Sequence, residues 1–126
     1  MKPIFITAIF FLSIFFGGCT PETPATSVGT NVEYQFTASN PNIVFIINQN
    51  DKDGNWIGGA YSTGWRASFT PANLPFTASL RVFDDNQPFS NVTVTLKILS
   101  NGIVVKESTS TLTTNNRALQ IQATIN

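Results

Sequence analysis

The sequence contains no histidine, a single cysteine and few charged residues. Without histidine, neither a Ser-His-Asp triad nor a histidine-ligated metal site can form. The lone cysteine, Cys19, cannot form an internal disulfide. The chain also lacks a G-x-S-x-G nucleophile turn and a glycine-rich phosphate loop. These absences argue against catalysis, and we expect a non-enzymatic protein that needs no cofactor.

Charge is scarce and balanced, with 7 Lys+Arg and 7 Asp+Glu in 126 residues. There is no basic surplus of the kind that attracts nucleic acid, so we expect no nucleic-acid partner. Thr, Ser and Asn are plentiful instead. This balance is typical of exported β proteins.

The first 19 residues are organised like an export signal. Lys2 supplies a positive start, and residues 4–16 are almost entirely apolar. This run is shorter than the roughly 20 apolar residues that a membrane-spanning helix needs. Its length is typical of a secretory signal. Gly17-Gly18 follow and allow an extended backbone to occupy a peptidase site, and then comes Cys19.

This segment resembles the lipobox of bacterial lipoproteins, although Phe16 stands where that motif usually has Leu. The resemblance implies that residues 1–18 are a signal peptide and that lipid is attached to Cys19. Acyl chains such as palmitate would then hold the protein at a membrane, since two chains anchor stably where one does not. The alternative is an ordinary secretory signal with Cys19 incidental. The position of the lone cysteine favours lipidation.

Residues 19–30 are predicted to be the lipidated cysteine and a flexible tether, because residues 20–30 (TPETPATSVGT) are rich in Pro, Thr and Ser. Thr20 follows the lipidated cysteine. In enteric bacteria an Asp at that position retains a lipoprotein at the inner membrane. Thr20 therefore favours the outer membrane of the cell envelope.

From residue 31 to residue 126 the sequence alternates apolar and polar side chains with a period of two. The alternation is clearest in residues 32–37, 76–82, 92–98 and 119–125, and it predicts half-buried strands. No helical periodicity occurs after Cys19. Short strands at a spacing of about ten residues predict an all-β domain. We expect an immunoglobulin-like antiparallel β-sandwich of seven or eight strands.

Local patterns predict how some of these strands begin and end. Residues 43–47 form a continuous apolar run, which predicts a central strand covered on both faces. The polar residues 48–55 predict a turn. Trp56 then begins a short strand that Gly58-Gly59 is predicted to end.

The dipeptide Asn101-Gly102 predicts a two-residue hairpin loop, because both residues tolerate positive φ. Such a loop would pair Ile98 with Val105, which supports this register. It would also place Lys97 opposite Lys106, and the like charges argue mildly against it.

The C-terminal half combines residues 75–82 (PFTASLRV), residues 92–99 (VTVTLKIL), Asn101-Gly102 and residues 103–105 (IVV). This pattern resembles the periplasmic domain of the MmpS family of small mycobacterial membrane proteins. There, alternating Val and Thr lead into a D/N-G turn and two valine-like residues. The resemblance implies a small membrane-tethered sandwich that works beside a large lipid or siderophore exporter. This chain differs in having a lipidated cysteine instead of a spanning helix.

Two aromatic residues, Trp56 and Tyr61, are the candidate ligand-binding residues. They flank Gly58-Gly59, and exposed rings could stack on the apolar faces of sugars. The alternative is that the aromatic residues belong to the core. That is the prediction for Trp65, which lies on the same side of its strand as other apolar residues.

Carboxylates offer weaker candidates. Asp51, Asp53 and Asn55 have the first three ligand spacings of a calcium loop, but its twelfth position is Ser and not Glu. A simple polar turn is the better explanation, so no metal site is predicted. Asp84-Asp85 is predicted to lie at an exposed loop end.

The predicted function is that of a lipoprotein attached to the membrane through Cys19. It would be a non-catalytic module of the cell envelope, acting through protein contacts as an accessory to an export or assembly complex. The alternative is a carbohydrate-binding surface lipoprotein that uses Trp56 and Tyr61.

Overall fold

The computed structural model describes residues 29–86 and 91–126. The predicted signal peptide and Cys19 lie outside these residues. Eight strands are present: β1 Val32–Ala38, β2 Phe45–Asn50, β3 Trp56–Tyr61, β4 Arg66–Phe69, β5 Phe76–Phe83, β6 Val92–Ser100, β7 Ile103–Leu112 and β8 Ala118–Ile125.

The strands form two four-stranded sheets. The first has the order β4-β1-β6-β7 and the second has the order β3-β2-β5-β8. All paired neighbours are antiparallel. The predicted antiparallel β-sandwich of seven or eight strands is therefore confirmed. Within the described ranges, no helix is long and apolar enough to cross a membrane.

The core lies between the sheets, because each strand sends every second side chain inward. Phe36 of β1 and Phe45 of β2 meet edge to face across the two sheets, with ring centroids 5.1 Å apart. The other large core residues include Tyr34, Ile47, Leu80, Val82, Leu96, Ile98 and Leu112. The apolar face of each sheet is thus covered by the other sheet.

One buried amide connects the two sheets by hydrogen bonds. The Tyr34 hydroxyl of β1 donates to Oδ1 of Asn50, at the end of β2. The same oxygen accepts the backbone N–H of Ser79 at 2.9 Å, and Nδ2 of Asn50 donates to the carbonyl of Thr77. Tyr34 is fully buried, and burial raises the pKa of its phenol well above the ordinary value of 10.0.

The strand β2 differs from its prediction in two ways. It begins at Phe45 and extends through Asn50, so the first residues of the predicted turn belong to the strand. It is also covered on one face only, since Val44 is 49% exposed and Ile46 is half-buried. The reason is that no described layer covers the outer face of the second sheet.

The predicted hairpin between β6 and β7 is confirmed. Ser100 pairs with Ile103, which leaves Asn101 and Gly102 as the two loop residues. Their φ angles are 49° and 80°, as a primed turn requires.

A β-bulge in this hairpin removes the disfavoured pairing of like charges. The register shifts between Ile98 and Leu99, so Val105 has no partner on β6. Lys97 consequently lies opposite Glu107 and not Lys106, with 3.9 Å between the charged atoms. The register predicted for Lys97 from a regular ladder is therefore wrong, because bulges add one residue to one strand.

The Asn50 hydrogen bonds predict unequal effects of two substitutions. Asn50→Leu leaves the Ser79 N–H, the Thr77 carbonyl and the Tyr34 hydroxyl buried without their partner, and should lower the free energy of unfolding by about 3 kcal/mol. Tyr34→Phe removes one donor while Asn50 keeps its other bonds, and should cost about 1 kcal/mol. Urea denaturation of both variants measures the difference. Equal losses would show that Asn50 does not organise this junction.

The raised pKa of Tyr34 predicts a loss of stability in alkali. Below pH 10 the phenol is protonated in both the folded and the unfolded chain, so its contribution is fully present. As the pH rises above 10, only the unfolded chain loses the proton, and folding weakens by up to about 1.4 kcal/mol per pH unit. Tyr34→Phe lacks this component. Urea denaturation between pH 9 and 12 should therefore show a shallower decline in that variant than in the wild type.

Candidate functional site

Trp56 and Tyr61 both lie on β3, the edge strand of the second sheet, while Cys19 lies outside the described residues. Trp56 is 54% exposed and Tyr61 is 39% exposed. The strand continues through Gly58-Gly59, so the prediction that this pair ends it is wrong. Every residue of β3 has a paired partner on β2, and these pairs hold the glycines extended.

The two glycines make room for side chains on opposite faces of β3. A Cβ on Gly58 would collide with Oδ1 of Asn48, which occupies that space on the outer face. A Cβ on Gly59 would lie 2.7–2.8 Å from the ring and hydroxyl of Tyr61 on the inner face. The pair therefore has a packing role on both sides of the strand.

Trp56 and Tyr61 do not share one face. Side chains alternate along a strand, and five positions separate these two residues, so they point to opposite sides of the sheet. The two rings therefore do not form a single aromatic platform. Two separate surfaces result, which we name the outer groove and the inner corner.

The outer groove crosses the solvent-facing side of the second sheet. It has a volume of about 210 Å³ and is lined by Trp56, Asn48, Arg81 and Gln120. The last three lie side by side because Asn48 pairs with Arg81 and Arg81 pairs with Gln120. The groove thus combines an aromatic wall with one cation and two amides.

Arg81 supplies the charge of the outer groove. Its guanidinium lies 5.9 Å from the centre of the Phe83 ring, within the range of a cation–π contact. Among the described residues, no carboxylate forms an ion pair with it. The charge therefore remains available to an anionic or hydroxyl-rich ligand.

The inner corner lies on the inner face of β3, beside β2. It contains Ile57, which is 47% exposed, together with Tyr61 and the side chain of Gln49. Tyr61 packs on Trp65 with ring centroids 5.2 Å apart. Trp65 is half-buried against the core and not fully inside it as predicted, because it precedes the four residues of β4.

Gln49 gives the inner corner an unusual polar feature. Its Oε1 atom is buried, yet no hydrogen-bond donor among the described residues reaches it. An unpaired buried acceptor is costly, and natural proteins rarely keep one without a partner. Oδ2 of Asp84 is buried without a partner in the same way, and a donor from an ordered water or a bound molecule would remove the cost at either atom.

The Asp51 segment is a turn, in agreement with the preferred interpretation. Oδ1 of Asp51 accepts the backbone N–H groups of Asp53 at 2.9 Å and of Asn55 at 3.0 Å. Gly54 completes the turn with a φ of 84°. In residues 29–86 and 91–126, no three His, Cys, Asp or Glu side chains are grouped as a metal site would require.

Asp84 is fully buried, so its predicted place at an exposed loop end is wrong. Its Oδ1 accepts the backbone N–H of Asn86 at 2.9 Å and the side-chain amide of Asn86 at 2.7 Å. That amide also donates to the carbonyl of Val44 at 2.8 Å. The carboxylate therefore shapes the chain after β5, while the neighbouring Asp85 is exposed.

Sequence reasoning missed four residues of these surfaces, namely Asn48, Gln49, Arg81 and Gln120. Alternation within β5 and β8 places Arg81 and Gln120 on polar faces. No signal in the sequence shows that these strands adjoin, or that both lie across from Trp56. Strand order decides that, and it depends on long-range pairing.

No protein-family profile matches the chain. No curated protein matches it either.

Proposed function

We propose that this protein is a lipid-anchored lipoprotein of the bacterial cell envelope, and that its sandwich domain binds another envelope protein along β3. The attachment rests on the export signal that ends at Cys19. The observation that carries the binding role is the exposed, uncharged edge of β3. The role is that of a non-catalytic contact module.

An edge strand has unpaired backbone groups that another strand can bind. Among the described strands, none pairs with the outer edge of β3. Natural edges are commonly protected by charged residues or proline. The edge strands β4 and β7 carry Arg66, Lys106 and Glu107, whereas β3 (WIGGAY) and β8 carry neither a charge nor a proline. Of these two uncharged edges, β8 also lies close to β6 and β7 of the other sheet, while β3 exposes Trp56, Ile57 and Tyr61. β3 is therefore suited to pair with a strand of a partner.

The inner corner supports the same role. A partner strand on β3 would cover Ile57 and Tyr61, and burial of apolar surface favours association. A donor from that partner could also satisfy Oε1 of Gln49. Both effects favour the binding of a protein segment that supplies apolar side chains and backbone N–H groups.

The MmpS-like pattern points to the class of partner. Its residues 92–105 span β6 and the start of β7 on the sheet opposite β3, and its residues 75–82 belong to β5, in the same sheet as β3. A tethered sandwich that leaves β3 accessible would suit an accessory of an export or assembly complex. The lack of an Asp after Cys19 supports the outer membrane as the location of this role.

The outer groove favours a second candidate, carbohydrate binding. An exposed Trp56 ring offers a stacking surface, while Asn48, Arg81 and Gln120 offer hydrogen bonds to hydroxyl groups. The cation without an ion-pair partner would favour a sugar that bears a carboxylate.

The protein-contact proposal predicts specific cross-linking from β3. A photo-crosslinking amino acid at Tyr61 in the full chain, produced in living cells, should capture one envelope protein. Adding Ile57→Lys, which puts a charge on the open edge, should reduce that product about tenfold. Ile57 is half exposed, so the substitution should cost less than about 1 kcal/mol of folding stability.

The matched control is Gln122→Lys on β8, the opposite edge of the same sheet, which should leave the product unchanged. Mass spectrometry identifies the captured protein. Equal cross-linking in both lysine variants would contradict a role for the β3 edge.

The carbohydrate candidate predicts that the wild type binds an acidic glycan on a glycan panel. Trp56→Ala and Arg81→Ala should each weaken that binding at least about tenfold, since each removes one wall of the groove. Trp56→Ala should lower the free energy of unfolding by only about 1 kcal/mol, because the side chain is 54% exposed. A wild type that binds no glycan excludes this candidate and leaves the β3 proposal standing.

A further inference from the structure

One end of the sandwich contains the residues that precede β1 and the tip of the β6–β7 hairpin. The backbone N–H of Asn31 donates to Oδ1 of Asn101 at 2.8 Å, and the backbone N–H of Asn101 donates to the Asn31 carbonyl at 2.8 Å. The tip of the β6–β7 hairpin is therefore tied to the residues that precede β1. We name residues 29–31, 70–75 and 101–105 the proximal end.

The loop 70–75 lies at the same end. Phe69, the last residue of β4, pairs with Val32, the first residue of β1. Thr70 also lies close enough to Gly29 that a Cβ on that glycine would be 2.8 Å from its methyl group. The chain that leads to the domain, the hairpin tip and this loop are consequently neighbours.

The proximal end exposes an unusual amount of apolar side chain. Ile103 is 70% exposed, Val104 and Val105 are each 44% exposed, and Leu74 of the loop is 48% exposed. Hairpin tips in water are normally polar, and the bulge adds Val105 as a third consecutive apolar residue. Clustered exposed apolar side chains mark a surface that another phase or molecule covers.

The position of the predicted anchor identifies that phase. Cys19 precedes Gly29 by ten positions, so even a fully extended chain spans at most about 35 Å between them. That is close to the length of a ten-residue strand, about 33 Å. Because the chain from Cys19 enters the domain at Gly29, the proximal end is the part of the domain that lies closest along the chain to an acylated Cys19.

We propose that the proximal end rests on the lipid bilayer, with Ile103, Val104 and Val105 inserted among the headgroups. This inference rests on the lipid anchor of the proposed function. An apolar tip gains by burial at the boundary between headgroups and acyl chains. The neighbouring Lys106 is exposed and can reach the phosphate layer. The contact would orient the domain so that its strands project away from the membrane.

The full lipoprotein allows a direct test with one added cysteine. Lipid consumes the thiol of Cys19, so Val104→Cys provides the single free thiol for an environment-sensitive fluorophore. Thr111→Cys is the matched control, since it is exposed on the same strand about 23 Å away. Both proteins are reconstituted into vesicles of phosphatidylethanolamine and phosphatidylglycerol that contain a lipid quencher near the headgroups.

We expect the quencher to reduce the fluorescence at position 104 at least about threefold more than at position 111. Equal quenching at both positions, or none at either, overturns the contact. Mass spectrometry of the same samples separates the two proposals. Acylated protein with an unquenched label at 104 refutes the contact and leaves the anchor intact, whereas protein without acyl chains refutes both.

Discussion

The hydrogen bonds of Asn50 connect the two sheets of this domain next to the edge strand β3, on which the proposed binding surfaces lie. One side-chain amide joins Tyr34 of the first sheet to the backbone of β5 in the second. These polar groups are buried and have no water to bind in place of one another. The hydrogen bonds therefore favour a single arrangement of the junction. Asn50 also pairs with Trp56, the first residue of β3. The position of the exposed edge strand therefore depends on a buried polar contact, and not on apolar packing alone.

The edge strand β3, which begins beside that junction, presents different side chains on its outer and inner faces. Gly58 and Gly59 have no side chains, so the Asn48 side chain fits against one face of β3 and the Tyr61 ring fits against the other. The core is filled by the inward side chains of both sheets, so the ligand surfaces we propose lie at an edge, on an outer face and at one end. In our proposals, such an arrangement would let a small sandwich contact a membrane and a partner at the same time.

Much of the fold could be predicted, and much of the candidate site could not. Strands with regular alternation were predicted well, because burying one face of a sheet demands a period of two. The sequence left Trp56 either exposed or in the core, and the structure exposes it beside groove residues that come from strands far away in sequence. Asp84 was expected in solvent and is buried, since only the folded chain brings Asn86 and Val44 around it.

The sequence by itself determined the all-β class and the Asn101-Gly102 turn, because each depends on neighbouring residues alone. Tertiary structure decided the rest. The bulge at Val105 follows from how β6 and β7 align, and the separation of Trp56 from Tyr61 follows from the continuous pairing of β3 with β2. Strand order and register depend on which apolar faces are buried together, and that is a property of the whole chain.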